Sequence, residues 1–252
     1  MKPKILGLIG YPLAHSFSRQ YFAEKFEKEG IKDYVYQNFE LEKLNLFPDL
    51  IKNHPDITGL NVTIPYKEKI LKFVDEVSPE VEAVGAANTL LIHPSAKKIT
   101  AYNTDIYGFK QSLLAYLNPE HRKALILGTG GAAKAVAYAL LQLGIVATMV
   151  SRQPKSSAQL AYHDLDENLV KSHLLVINTT PLGQFPNIEK SPEFPYNFIT
   201  NRHLFCDLIY NPAETRFLKQ ARKMGAKTCN GLKMLYLQAE KAWQIWTGQS
   251  GS

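Results

Sequence analysis

The stretch Ala124-Leu125-Ile126-Leu127-Gly128-Thr129-Gly130-Gly131-Ala132-Ala133 decides how this chain is read. Four apolar residues form a short strand, a glycine loop follows, and Ala132–Leu143 continues as a helix that Gly144 stops. Val146–Ser151 is then a second strand. Gly128 permits the tight turn, while Gly130 and Gly131 let backbone approach a pyrophosphate that the exposed helix N–H groups bind. The spacing is G-x-G-G-A, with Ala133 in the final position of the pattern. Alone, this would be an ordinary glycine-bearing turn. With strand, helix and strand in register it predicts a dinucleotide site. Further along, Leu174–Asn178 and Leu204–Leu208 are buried strands, and helix Glu214–Met224 closes at Gly225. Short apolar strands alternating with helices predict a parallel sheet covered on both faces.

The end of the second strand selects the dinucleotide. An NAD site places an acid about 20 residues after the loop, on the ribose 2′-hydroxyl. Here the strand ends Ser151-Arg152, Lys155 follows, and no acid occurs before Asp164. A guanidinium grips a 2′-phosphate with two hydrogen bonds, which favours NADP.

Towards the N-terminus the rhythm differs. Lys4–Ile9 reads as a strand, and Ser18 as the cap of a helix with Phe22 and Phe26 on one face, stopped by Gly30. Tyr34–Phe39 is a strand, Leu44–His54 a helix and Ile57–Thr63 a strand. Two short helices follow Pro65, then a hairpin of Ala86–His93 and Lys98–Thr104. Helix Asp105–Leu117 ends at Asn118-Pro119. The last helix, Gly231–Trp246, carries Leu232, Leu235, Tyr236, Ala239, Trp243 and Trp246 on one stripe that needs burial, and packing onto the first domain would supply it.

Composition narrows the function classes. With 45% hydrophobic and 21% charged residues the chain is globular rather than disordered or fibrous. The net charge is +6, yet there is no block of about five Lys/Arg, so a nucleic-acid partner is not expected. The uncharged stretch Ala135–Val150 is shorter than a membrane span, and the run Ile5–Gly10 is too short for a signal peptide; a cytoplasmic protein without a membrane partner is expected. Cys206 and Cys229 have no C-x-x-C spacing and no His cluster beside them, so they read as reduced thiols, and no metal site is expected.

Polar residues crowd the strand ends of the first third: Ser16 and Ser18; Asn61, Thr63 and Lys67; Asn88; and Asn103-Thr104-Asp105. Each singly is a cap, a turn residue or a solvated lysine. Together they suit a small, polyhydroxylated, anionic molecule.

The chain resembles the shikimate dehydrogenase family. The resemblance is carried by Pro12-Leu13-Ala14-His15-Ser16-Phe17-Ser18, by 59–67 (Gly-Leu-Asn-Val-Thr-Ile-Pro-Tyr-Lys), by Gly85-Ala86-Ala87-Asn88-Thr89, and by 102–108 (Tyr-Asn-Thr-Asp-Ile-Tyr-Gly). The glycine loop, 178–183 (Asn-Thr-Thr-Pro-Leu-Gly), Asp207-Leu208-Ile209-Tyr210 and 231–239 also match. The resemblance implies an α/β fold: an open α/β substrate domain (1–104, joined by 231–252), a Rossmann-type parallel-sheet NADP domain (105–230), and a C-terminal helix returning to the first. It implies that Ser16, Ser18 and Tyr210 bind the substrate carboxylate, that Asn61, Thr63, Asn88, Asp105 and Gln238 bind ring hydroxyls, and that Lys67 and Asp105 form the catalytic pair. For the cofactor it implies Gly128, Thr129, Gly130, Gly131, Ala132, Ser151, Arg152, Lys155, Thr179, Leu208 and Gly231. The implied reaction is NADP-dependent reduction of 3-dehydroshikimate to shikimate, by a monomer or homodimer. Where many relatives have Asn-Arg-Thr after the second strand, this chain has Ser151-Arg152-Gln153, which bears on NADP selectivity. Two alternatives stay open: a quinate/shikimate dehydrogenase preferring NAD, and a non-catalytic dinucleotide-sensing module of the same fold.

Overall fold

The structure, a computed structural model, describes residues 2–13, 17–93, 95–96 and 98–249. In chain order the elements are β1 (Lys4–Gly10), α1 (Phe17–Glu29), β2 (Tyr34–Glu40), α2 (Phe47–Asn53), β3 (Ile57–Val62), β4 (Glu76–Val77), α3 (Pro79–Val84), β5 (Thr89–His93), β6 (Lys98–Tyr102), α4 (Thr104–Leu114), β7 (Lys123–Leu127), α5 (Gly131–Gln142), β8 (Val146–Ser151), β9 (Gln159–Ala161), α6 (Glu167–Ser172), β10 (Leu175–Asn178), β11 (Leu204–Asp207), α7 (Arg216–Lys223), β12 (Lys227–Cys229) and α8 (Leu232–Thr247). The chain divides into two compact units, Met1–Thr104 with Ala239–Ser252, and Asp105–Gln238.

The first unit holds a mixed sheet in the order β2-β1-β3-β5-β6-β4. β2 and β3 run parallel to β1, whereas β5 is antiparallel to β3 and to β6. One core cluster packs Ile9, Phe47, Leu60 and Ile70 together. A second joins Leu6, Leu8, Phe22 and Phe26 to Ala239, Ala242, Trp243 and Trp246 of α8. Gly59 makes that second contact possible. A Cβ there would lie 2.3 Å from the Trp246 ring, whose Nε1–H donates to the Leu90 carbonyl at 2.9 Å. The C-terminal helix thus returns to the first unit, as expected, but only over its later turns. Leu232 and Tyr236 are exposed, so the apolar stripe is not buried along its whole length.

The second unit is a wholly parallel sheet, β12-β11-β10-β7-β8-β9. In sequence order from β7 this is 3-2-1-4-5-6 turned about, the Rossmann arrangement, with its topological switch between β7 and β10. Leu125, Leu127, Val176, Phe205 and Phe217 fill its core.

Several boundaries differ from expectation for local reasons. Ser18 is the second residue of α1, not its cap. The helix expected over Leu44–His54 begins as a 3₁₀ turn, and α2 starts afresh with Pro48 in its first turn, where a missing N–H costs nothing. Helix α7 begins at Arg216, because Thr215 accepts the Leu218 N–H and caps it. The helix expected over Asp105–Leu117 runs from Thr104 to Leu114.

Candidate functional site

In the first unit the polar residues converge on Asn88. Its Oδ1 accepts the Thr104 backbone N–H at 2.7 Å and its Nδ2 donates to Thr104 Oγ1 at 2.9 Å, which fixes the residue that opens α4. Its carbonyl accepts the Val62 N–H at 2.8 Å. Asn61, at the penultimate position of β3, donates through Nδ2 to the Asn88 carbonyl and to Thr89 Oγ1, each at 3.3 Å, and accepts from the Tyr36 hydroxyl at 2.8 Å. Asn61, Asn88, Thr89 and Thr104 are all buried. Buried amides need such partners, since each unpaired group costs about 1–3 kcal/mol. The partners in turn hold each amide in one orientation.

Lys67 is attached to the same frame. Its carbonyl accepts the Ala87 N–H at 2.8 Å, one residue before Asn88, and it is half-buried in a turn rather than at a helix start. Thr63 follows β3 and donates its N–H to the Ile9 carbonyl at 2.9 Å. Gly10 leaves room for the Thr63 methyl, which a Cβ would meet at 2.4 Å. Ser18 is half-buried on α1. Ser16 lies outside the described residues.

The second unit places its candidates at the carboxyl ends of β7, β8, β10 and β11. Gly128 has φ +118°, and a Cβ there would lie 2.5 Å from Thr179 Oγ1, so only glycine fits the turn. Thr179 Oγ1 donates to the Leu127 carbonyl at 2.7 Å and closes the switch point. Gly130 caps α5 with no side-chain hydrogen bond, and nothing lies within 4 Å of where its Cβ would be. The first N–H groups of α5 are therefore approachable from outside, with Thr129 and Ala132 half-buried beside them. These features fit a pyrophosphate. After β8, Ser151 Oγ accepts the Gln153 N–H at 3.2 Å, and Arg152 and Lys155 are exposed. Gly231 packs on Leu208, whose carbonyl oxygen a Cβ would meet at 2.0 Å.

Asp105 is the second residue of α4 and is buried, where free helix N–H groups stabilise a carboxylate. Gln238 lies against the same helix: a Cβ at Gly108 would sit 2.7 Å from the Met234 carbonyl and 3.0 Å from Gln238. Gln238 Nε2 donates to the Leu235 carbonyl at 2.9 Å. Tyr210 is half-buried, and burial pushes its hydroxyl above the usual range.

Asp207, at the end of β11, ties two loops together. Its Oδ2 accepts from Thr215 Oγ1 at 2.6 Å, and its Oδ1 accepts from the Ile209 N–H at 3.0 Å and from Asn178 Nδ2 at 3.1 Å. Asn178 Oδ1 in turn accepts the Thr180 N–H at 2.9 Å. Burial pushes the Asp207 carboxyl up to about 6 against the opposing pull of those hydrogen bonds. Among the described residues no group of three His, Cys, Asp or Glu could hold a metal ion, and no helix is long and apolar enough to cross a membrane.

Residues 8–90 match the family described as shikimate dehydrogenase substrate binding domain. The shikimate dehydrogenase (NADP(+)) of Caldicellulosiruptor saccharolyticus is 42% identical over 260 residues, covering 96% of this chain and 92% of that protein. The chain belongs to the shikimate dehydrogenase family. Its fold is similar to the shikimate 5-dehydrogenase of Thermus thermophilus solved with NADP(H) and shikimate, at a TM-score of 0.86 and 32% identity, over 99% of this chain and 95% of that one. The quinate dehydrogenase of Corynebacterium glutamicum, solved with NAD, is similar in fold at 27% identity and the same TM-score of 0.86, over 99% and 95% of the two chains.

Proposed function

We propose that this chain catalyses the reversible, NADP-dependent reduction of 3-dehydroshikimate to shikimate in aromatic amino acid (chorismate) biosynthesis. The observation that carries the reading is the buried amide frame around Asn88, with Lys67 attached to it, in a chain whose dinucleotide loop is followed by Arg152 rather than an acid. Residues 1–104 with 231–252 serve as the substrate domain and 105–230 as the cofactor domain.

When bound, NADPH supplies the hydride. The N–H groups opening α5 and Gly128–Ala132 would hold its pyrophosphate, with Thr179, Leu208 and Gly231 beside it. Arg152, helped by Ser151 and Lys155, would hold its 2′-phosphate. Ser16, Ser18 and Tyr210 donate hydrogen bonds to the substrate carboxylate. Asn61, Thr63, Asn88, Asp105 and Gln238 address the ring hydroxyls. Lys67, as an ammonium, polarises the ketone oxygen and gives it a proton. In the reverse direction neutral Lys67 accepts the hydroxyl proton. Asp105 would hold the ammonium and one hydroxyl in line. The same reading carries a cytoplasmic location, the usual setting of two cysteines without a C-x-x-C spacing.

The similarity in fold to an NAD-bound quinate dehydrogenase favours one second reading, an enzyme of looser substrate choice that prefers NAD. Nicotinamide absorbance followed with NADP and shikimate, then with NAD and quinate, decides among the readings. Faster turnover of the first pair is expected. Faster turnover of the second pair overturns the proposed preference, and a flat trace with both would leave only a sensing role.

A further inference from the structure

Asp207 and Asn178 end two neighbouring strands, β11 and β10, and stand opposite each other in the parallel register. Both are buried, at 1% and 0% exposure. Burying a carboxylate is costly unless donors surround it. Here Oδ2 accepts from Thr215 Oγ1 at 2.6 Å, while Oδ1 accepts both the Ile209 N–H at 3.0 Å and Asn178 Nδ2 at 3.1 Å. With its Nδ2 committed to Asp207, Asn178 turns its Oδ1 to the next loop. There it accepts the Thr180 N–H at 2.9 Å and the Thr180 hydroxyl at 2.7 Å.

The bonds run unbroken from the loop after β11, through Asp207 and Asn178, to the loop after β10. Thr179, Leu208 and Gly231 sit along this path. Thr179 lies between Asn178 and Thr180, and its hydroxyl donates to the Leu127 carbonyl. Leu208 lies between Asp207 and Ile209 and donates its N–H to the Asn178 carbonyl at 3.1 Å; Gly231 donates its N–H to the Ile209 carbonyl, also at 3.1 Å. In a dinucleotide fold the two halves of the ligand lie on either side of the topological switch point. Arg152, after β8, marks the adenosine side, so the loops after β10 and β11 serve the nicotinamide half.

We propose that Asp207 is a positioning residue for the nicotinamide half of the cofactor, acting through Asn178 and Thr180 on one loop and through Ile209 on the other. The inference rests on the reading above that Thr179, Leu208 and Gly231 hold the cofactor. The placement of Oδ1, rather than the charge, carries the role, because that oxygen accepts from both loops. Asparagine can keep this oxygen in place and turn its Nδ2 to Thr215 Oγ1. Alanine leaves Asn178, Ile209 and Thr215 without their acceptor. Misplacing the ring that carries the hydride slows its transfer, whereas the adenosine half keeps its own contacts, so the effect falls on kcat.

The test compares Asp207→Ala with Asp207→Asn. It reads kcat with NADP and shikimate, and competitive inhibition by adenosine 2′,5′-bisphosphate, which carries the adenosine half alone. Asp207→Ala is expected to lower kcat by about tenfold or more, with the inhibition constant within about twofold of wild type. Asp207→Asn should recover kcat to within about threefold of wild type, because it keeps the oxygen that both loops share. A general loosening of the unit would weaken the inhibitor together with kcat, and that outcome overturns the proposal. So does a wild-type kcat in Asp207→Ala, or an Asp207→Asn as slow as Asp207→Ala. An inhibitor that fails to compete with NADP in the wild-type chain would sink the cofactor site and the inference with it; failures of the variants alone would sink only the role of Asp207. Should Asp207→Ala fail to fold, Thr180→Val keeps the shape of a half-buried loop residue and removes the hydroxyl that meets Asn178 Oδ1 and the Leu182 N–H. It should lower kcat by about threefold without moving the inhibition constant. An unchanged kcat in that variant would contradict the proposal.

Discussion

The two sheets end in polar networks of opposite kinds. In the first unit the frame is neutral and buried: Tyr36, Asn61, Asn88, Thr89 and Thr104 satisfy one another without a charge among them. In the second, a buried carboxylate, Asp207, gathers the loops after β10 and β11, while the residues expected to meet the ligand are left open. Gly130 has empty space beside it, and Arg152 and Lys155 are exposed. The difference fits what each side is proposed to recognise. A small polyhydroxylated ring is discriminated by fixed short donors and acceptors, so their orientations are locked beforehand. A phosphate is recognised by charge and by backbone N–H groups, which need only be accessible.

The largest expected effect lies on the substrate side. Lys67→Ala should lower kcat by about two to four decades, the span of a general acid–base group, with a much smaller change in shikimate KM. Steady-state kinetics on protein shown to be folded by circular dichroism checks this, and a kcat within about threefold of wild type would remove Lys67 from the chemistry. Next comes the cofactor side. Arg152→Ala should raise the NADP KM by about one to two decades, matching a charge-assisted contact of about 1.5–3 kcal/mol. NAD lacks the 2′-phosphate, so equal losses for both cofactors would contradict the assignment.

A third prediction separates packing from recognition. Gly59→Ala drives a methyl into the Trp246 ring, and overpacking of this kind costs about 1–3 kcal/mol. Urea unfolding should show the loss; an unchanged midpoint would mean that α8 is not seated on Gly59.

The smallest effect is a pH dependence of stability, and it belongs to the second unit. Burial lowers the pKa of His121, His173 and His203 from 6.5. The unfolded chain therefore binds these protons more readily than the folded one. Their contribution to stability is present above the unfolded value and is lost as pH falls below it. Asp207 works the other way, because its native carboxyl titrates at about 6 against 3.8; it takes up a proton in the folded state as pH falls and offsets part of the loss. Glu240 of the first unit is raised by burial as well, but from 4.5, so its effect falls at lower pH; three histidines against Asp207 predict a falling Tm between about pH 7 and 6, where the histidines already protonate in the unfolded chain. A Tm that rises over that interval would contradict the balance.

Much of this was legible in the sequence where the physics is local. Gly128 needs a positive φ, Gly130 opens a helix, and an arginine without a neighbouring acid ends β8; each can be read from adjacent residues. The parallel strands of the second unit follow from apolar runs. The strands β4, β9 and β12 were not legible, because two or three residues carry no periodicity. Ser18 reads as a cap from its type, but it is already helical. Tyr36 and Asp207 were invisible as organisers, since their partners lie far away in sequence: Asn61 is 25 residues from Tyr36, and Asn178 is 29 from Asp207. Leu232 and Tyr236 misled, because an amphipathic stripe shows what could be buried, not where burial stops.

The contrast between a neutral substrate frame and a charged cofactor grip is tested most directly by salt. KM for NADP, NAD and shikimate should be measured across a series of ionic strengths in wild type and in Arg152→Ala. Exposed charges are screened over about 8–10 Å at physiological salt, whereas buried neutral hydrogen bonds are not. The NADP-to-NAD ratio of KM should rise with salt in wild type and stay flat in Arg152→Ala, with shikimate KM changing much less than NADP KM. A shikimate KM that climbs in step with that of NADP, or a ratio indifferent to salt in wild type, would contradict the account.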